Sequence, residues 1–381
     1  MPLKKQVGIA AIVLVAIVAI MALFNIFRVH TDYAVLSTYE QESSQEDNYV
    51  AFHNTIIQYG VNGITCSDAQ NNTLWNQNYE MDRPIMAMSD SYIAIADQSG
   101  NDIWLFNENG YVTQITSSYQ ILQIAVADNG NFAAIMERNK NCYLQMYDST
   151  GQLVAEGEAH LNDKGYPAAI AISSDGNTLA VSYFTVDTGS LSSTVTFYDF
   201  GESQSNSDHI VASYTNNGLT IARLAYMDNG NLVAFGDKEV QIYSGSGEHE
   251  LKAQIEPEGK IVSVFAGENR FGLVFQNQNA TSGNASVLSD SSEGAYNLKV
   301  YSANGKESFT SNFGIAYESI FEMENGQICI KGNSALVLIS KGGRTIYTDS
   351  YEEPLLGIMP ADGHNRYYLI FSNRAERIRL K

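Results

Sequence analysis

The sequence predicts an all-β fold: a β-propeller of eight four-stranded blades, with seven as the alternative, behind one N-terminal transmembrane helix. Three observations carry this reading. Turns closing on glycine recur at Gly110, Gly151, Gly201, Gly247, Gly305 and Gly343, spaced 41, 50, 46, 58 and 38 residues apart. Inside those intervals Asp-Gly or Asn-Gly pairs separate apolar runs, as in IAVADNGNFAAIM (124–136) and AIAISSDGNTLAVSY (169–183). At the N-terminus, Val7 to Phe27 form a stretch of 21 residues in which Asn25 is the only clearly polar side chain.

A helix rising about 1.5 Å per residue over such a stretch spans roughly 30 Å, the hydrocarbon thickness of a bilayer. Lys4 and Lys5 precede it, so residues 1–6 are expected in the cytoplasm, 7–27 in the cell membrane, and everything beyond outside. A cleaved signal would need a shorter apolar stretch and a small-x-small site, which Phe24-Asn25-Ile26-Phe27-Arg28 does not supply. An uncleaved signal-anchor is therefore the reading. Residues 28–48 are polar and acidic and read as a tether or, at DYAVLSTY, a first strand. The propeller ectodomain is placed at 49–381.

The chain of 381 residues holds 42 acidic and 22 basic side chains, a net charge of −20. Lys4, Lys5 and Arg28 are the only charges before Asp32, so the part beyond Arg28 carries 42 acids against 19 bases, a net −23. An acidic excess of this size excludes a generic nucleic-acid binder, because phosphates would be repelled. Three cysteines without a CxxC pair exclude a disulfide scaffold and a cysteine zinc site.

Within the repeat, Asn-Gly and Asp-Gly suit two-residue hairpin turns whose central residues take positive φ. The flanking runs of Ala, Val, Ile and Leu read as strands buried on both faces. Four strands per period of about 40 residues is the arithmetic of a propeller blade. TLWNQNY (73–79), IMAMS (85–89), YIAIAD (92–97) and DIWLF (102–106) are assigned to one blade. Polar insertions at 185–194 and 276–296 are expected on loops. Tyr33–Thr38 and Tyr49–Phe52 complete a first blade in the eight-bladed reading; in the seven-bladed one the N-terminal strands close the last blade.

The segment CSDAQNNTLW (66–75), an acid, a turn and then Trp75, resembles the blade signature of PQQ-like propellers, and the repeat as a whole resembles those and the WD-repeat-like propellers. A single-pass anchor joined to such a propeller is similar to a bacterial family of membrane proteins of unknown function. The resemblance implies the architecture and carries no catalytic residues.

Chemistry is harder to find in the sequence. A quinone-dependent dehydrogenase needs an axial pocket, a calcium held by oxygen ligands and a general base. Asp128, Asp175 and Asp228 instead sit in hairpin turns, where local hydrogen bonding explains them. His30, His53, His160, His209, His249 and His364 lie at least 23 residues apart and form no local metal pair. Cys66, Cys142 and Cys329 sit among apolar neighbours as buried small hydrophobes. The recurrent aromatics Phe106, Tyr147, Tyr198, Tyr243 and Tyr301 read as packing between blades. No catalytic, cofactor-binding or metal-binding residue is therefore assigned, and no cofactor is expected. The function expected is a binding or scaffolding module at the cell surface, engaging a protein or a cell-wall glycan on one propeller face. A propeller enzyme, quinoprotein-like or glycan-processing, and an envelope assembly factor are the alternatives.

Overall fold

Short apolar runs broken by glycine turns can bury both faces only by stacking against neighbours, and the structure shows how they do so. The computed structural model describes residues 28–381 except 41–46, 69, 140, 160–164, 188, 202–208, 246 and 278–293. Among the described residues, thirty-two strands form eight antiparallel sheets of four, the blades of a propeller. Blades 1 to 7 take in residues 48–78, 84–116, 120–159, 166–217, 221–255, 261–313 and 319–350. Blade 8 is composite: three strands between Gly357 and Leu380 are joined by Tyr33–Glu40 as the outermost strand. The expected anchor, 7–27, lies outside the described residues. No helix among the described residues is long and apolar enough to cross a membrane.

The eight-bladed count holds, but two assignments are corrected. Tyr33–Glu40 does not belong to blade 1; it pairs with Arg374–Leu380 at the far end of the chain, from Tyr33 opposite Leu380 to Glu40 opposite Arg374. Blade 1 is instead completed by Thr73–Asn78, paired with Gly63–Ser67. The blade frame read from the sequence is thus displaced by one strand. Burial explains the confusion. Outermost strands such as Thr73–Asn78 face solvent on alternate residues, and innermost strands such as Pro84–Met88 are only partly buried, so neither is marked off by full burial. Only the two middle strands are buried throughout, as in Tyr92–Asp97 and Leu232–Gly236.

Turn chemistry is also corrected. In the inner hairpins of blades 3, 4, 5 and 7 the positive φ falls on one residue only, Gly130 (83°), Gly176 (71°), Gly230 (80°) and Gly326 (70°). The Gly130 N–H donates to the Ala127 carbonyl at 3.0 Å, and the Ala127 N–H to the Asn131 carbonyl at 2.9 Å. This is a three-residue loop, a type I turn followed by a left-handed glycine, and not the two-residue turn expected. The two-residue form occurs at His53-Asn54 in blade 1, where both residues take positive φ without a glycine (49° and 60°). The insertion at 185–194 is not a loop: two ten-residue strands, Thr178–Asp187 and Ser190–Asp199, extend the second hairpin of blade 4 through it.

The aromatics that close the third strands of blades 2 to 6 pack between blades. Phe106, Tyr147, Tyr198, Tyr243 and Tyr301 are all buried. Trp75, on the outermost strand of blade 1, stacks flat on Phe106 of blade 2 (5.7 Å between ring centroids, 2° between planes), and its Nε1–H donates to the Glu108 carbonyl at 3.0 Å. Asp68, the acid of the same segment, caps its turn by accepting from the N–H groups of Gln70 and Asn72, both at 2.8 Å.

Cys66, Cys142 and Cys329 are buried and unpaired, with burial pushing the Cys142 thiol up to about 11. A thiol that is both enclosed and protonated is inert. The folded chain is therefore expected to leave a disulfide reagent such as dithionitrobenzoate unreacted at pH 8 and to titrate three thiols after unfolding in guanidinium; rapid reaction of the folded chain would contradict this packing.

Candidate functional site

The innermost strands surround a central channel. A pocket of about 720 Å³ lies against those of blades 7, 8 and 1, formed by Ser319–Glu322, Gly357–Pro360 and Asn48–Phe52. Its apolar lining includes Tyr49, Val50, Phe321, Leu356 and Ile358. The blade-to-blade connections bound one end. There Lys331 pairs with Glu318 at 3.2 Å and donates to the Leu355 carbonyl at 3.1 Å.

In the wall stands Glu322, whose Oε1 accepts from Arg270 Nε at 2.7 Å and lies 2.6 Å from its Nη2. Arg270 belongs to blade 6 and also donates to two carbonyls of blade 7, Lys341 (2.9 Å) and Gly326. Both side chains are nearly enclosed, 14% and 13% exposed. Among the described residues Glu322 Oε2 has no hydrogen-bond partner. It presses so close to Gly267 that a Cβ there would sit 1.8 Å away, which is why that position carries no side chain.

At the other end, the inner-hairpin turns converge. Asp128 Oδ1 accepts from the Asp90 N–H of blade 2 at 2.8 Å, and its Oδ2 from the Ser174 hydroxyl of blade 4. The Asp228 N–H donates to the Glu268 carbonyl of blade 6 at 2.9 Å, and Asp228 Oδ2 accepts from Asn269 Nδ2 at 2.9 Å. The Asp175 carboxylate keeps the local turn role, accepting from Ser173 and Asn177, while its carbonyl accepts from Asn129 Nδ2 of blade 3 at 2.8 Å. Asp128 and Asp228 clasp neighbouring blades.

Several carboxylates therefore share one end of the channel. Glu268 is pushed above the usual carboxylate range by burial first, then by repulsion from Asp228, Asp90, Glu322 and Glu324. Asp90 is raised by burial, then by Asp128 and Asp228, with His53 opposing. A carboxyl raised in the folded state binds its proton more tightly there. Folding thus gains on acidification, and the gain is lost as pH rises through the raised value. Glu268→Gln is accordingly expected to stabilise the chain at pH 7, by less than about 1 kcal/mol for so exposed a group, and to change nothing near pH 3; paired melts at the two values check this.

The histidines are dispersed. His249 is buried, stacked on Phe197 at 4.5 Å, and donates from Nδ1 to the Ser244 carbonyl at 3.0 Å. His30 is built into the closure of the ring. Its N–H donates to the Ile346 carbonyl at 2.8 Å, its carbonyl accepts from the Thr348 N–H at 3.2 Å, and Nδ1 donates to the Lys381 carbonyl. Among the described residues no three His, Cys, Asp or Glu side chains are placed to hold a metal ion.

Residues 26–380 match the profile of a family of unknown function, DUF5711. The chain belongs to that family. No curated protein sequence matches it. This DUF5711 chain is similar in fold to the crystal structure of BamB from Moraxella catarrhalis, with a TM-score of 0.52 and 10% identity over 92% of this chain and 100% of that one. It is also similar to Sqt1 from Saccharomyces cerevisiae (TM-score 0.56, 10% identity, 92% and 99% covered) and to Sqt1 from Chaetomium thermophilum (0.55, 11%, 92% and 100%). At such identities the likeness shows the propeller fold.

Sequence reasoning did not find Arg270, Glu322, Glu268 or Asp90. The fragment IFEMENGQICI (320–330) places Glu322 two residues before Glu324, but nothing local distinguishes a channel wall from a turn. The pocket draws on residues 47–59, 318–333 and 354–360, which only ring closure brings together.

Proposed function

We propose that this DUF5711 chain is a single-pass membrane protein, N-terminus inside, whose extracytoplasmic propeller acts as a binding or scaffolding module with its ligand seated in the axial channel. The observation that carries the reading is the pocket itself. At about 720 Å³ it falls within the usual range for ligand sites. It combines the aromatic faces of Tyr49 and Phe321 with the charged groups of Glu318 and Lys331, a lining suited to a peptide segment of a protein partner or to a cell-wall glycan. The apolar stretch 7–27 behind Lys4 and Lys5 supports the anchored topology.

Photo-crosslinking in cells tests the site. Benzoylphenylalanine at Met88, which lines the pocket, is expected to give adducts that the same group at Tyr111, on an outermost strand, does not. Both positions are comparably exposed, 47% and 53%. Loss of the adduct to protease identifies a protein ligand, and loss to a muramidase a glycan. Equal labelling at both positions would remove the channel from the reading, and a quinone absorbance retained after incubation with PQQ and calcium would replace it with an enzyme.

A further inference from the structure

The fold leaves almost no tether. The expected anchor ends at Phe27, and His30 is already hydrogen-bonded into blades 7 and 8. Three peptide links span at most about 11 Å, roughly half the height of a six-residue strand. Of the two expectations for 28–48, a tether or a first strand, the strand is found at Tyr33–Glu40, which leaves residues 28 and 29 alone between the expected anchor and the His30 contacts.

Charge is distributed unevenly about that point. Residues 325–381 hold eight bases against five acids, a net +3, and blades 7 and 8 taken whole, with Glu40, Glu322 and Glu324, are neutral. The remainder after Arg28, 29–324, holds eleven bases against 37 acids, a net −26. Because strands alternate in direction, His30, the third turn of blade 7, the first turn of blade 8 and the end of the strand at Leu380 all lie at one end of the disc. Around His30 at that end sit Arg28, Lys341, Arg344, Arg366, Arg379 and Lys381. Of these, Arg28, Lys341, Arg379 and Lys381 are exposed. Arg366 and Arg379 stand opposite each other in the sheet. Arg366 and Arg377 both donate to the Asp362 carbonyl, at 3.4 and 3.2 Å. Asp32, which faces Lys381 at 3.4 Å, and Asp362 are the acids among them.

We propose that this basic sector is a membrane-docking surface: resting on the anchored reading, it seats the rim of blades 7 and 8 on the anionic headgroups of the bilayer that holds the anchor. The link keeps the rim within about one screening length of that surface, near 8 Å at physiological salt. Attraction there favours contact roughly fivefold for each Lys or Arg near the surface. The carboxylates of Asp90, Asp228, Glu268 and Glu324, near the axis at the same end of the disc, are repelled by it. The propeller therefore stands tilted, its rim on the membrane and its channel mouth turned to the aqueous side.

The test uses the full chain reconstituted in vesicles of phosphatidylcholine alone or in an equimolar mixture with phosphatidylglycerol. A nitroxide is attached at Gly342→Cys, beside Lys341 in open space, or at Asn109→Cys on a turn of blade 2 at the same end. The three native thiols are buried and stay unlabelled. Collisions with oxygen, which concentrates in the bilayer, are compared with collisions with a water-soluble nickel chelate. Position 342 is expected to report the headgroup zone in the anionic vesicles and position 109 water. The triple variant Lys341→Glu, Arg379→Glu, Lys381→Glu is expected to lower the membrane-facing population at position 342 by at least about tenfold. Equal readings at 342 and 109 in a chain that floats with the vesicles, or no response to charge reversal, would overturn docking and leave the anchor standing. A chain stripped from vesicles by an alkaline wash would overturn the anchor, and docking with it.

Discussion

A chain beginning at Gln41 instead of Arg28 is expected to lose its cooperative unfolding transition. Tyr33–Glu40 supplies the outermost strand of blade 8, with seven residue pairs against Arg374–Leu380. Removing it exposes the ladder of that strand and undoes the His30 contacts between blades 7 and 8. At about 1 kcal/mol for each hydrogen bond lost, the cost is several kcal/mol, comparable with the whole stability of many domains. A peptide of residues 29–40 added in trans is expected to restore the transition, because the strand is held by pairing and not by its covalent position. Circular dichroism against temperature, with and without peptide, measures both. An exposed substitution such as Val186→Thr, at a side chain 74% exposed, is the neutral control. A truncated chain that melts like the parent would show that the ring does not depend on this closure.

Arg270→Met is expected to destabilise the fold by about 3–5 kcal/mol, the usual cost of stripping the partner from an enclosed charge. The guanidinium spans blades 6 and 7 through Glu322 and two carbonyls, and the variant leaves the Glu322 carboxylate enclosed with neither oxygen paired to a cation. Arg270→Met with Glu322→Leu is expected to recover most of the loss, since no unpaired charge then remains. Denaturant midpoints for the four chains of this cycle give the coupling directly; a single variant no weaker than the double would show that the pair adds nothing to the fold.

Much of the architecture was legible in the sequence because a propeller writes its period locally. Most blades repeat the same needs: a left-handed residue in the first hairpin of blades 3, 4, 5 and 7, met by Gly130, Gly176, Gly230 and Gly326, and an aromatic at the end of the third strand of blades 2 to 6, met from Phe106 to Tyr301. The phase of the repeat was not legible, because neither an innermost strand such as Pro84–Met88 nor an outermost one such as Thr73–Asn78 is set apart by full burial. Closure by an N-terminal strand was read only as part of the seven-bladed alternative, since Tyr33 and Leu380 meet across the whole chain and no local pattern records the register of a partner so distant. The channel was hidden for the same reason. Glu322 and Arg270 lie 52 residues apart on different blades, and the acids that looked like turn formers, Asp128 and Asp228, act as such while also clasping the next blade.

The composite blade has a consequence for biogenesis. Its first strand is made 334 residues before its partner, Glu40 against Arg374. At ordinary synthesis rates that interval lasts about 20–70 s. Throughout it the seam strand of each nascent chain waits with both edges unpaired. Two chains emerging side by side can exchange these strands at no loss of pairing, so the local concentration of nascent chains sets the balance between closed monomers and strand-swapped dimers.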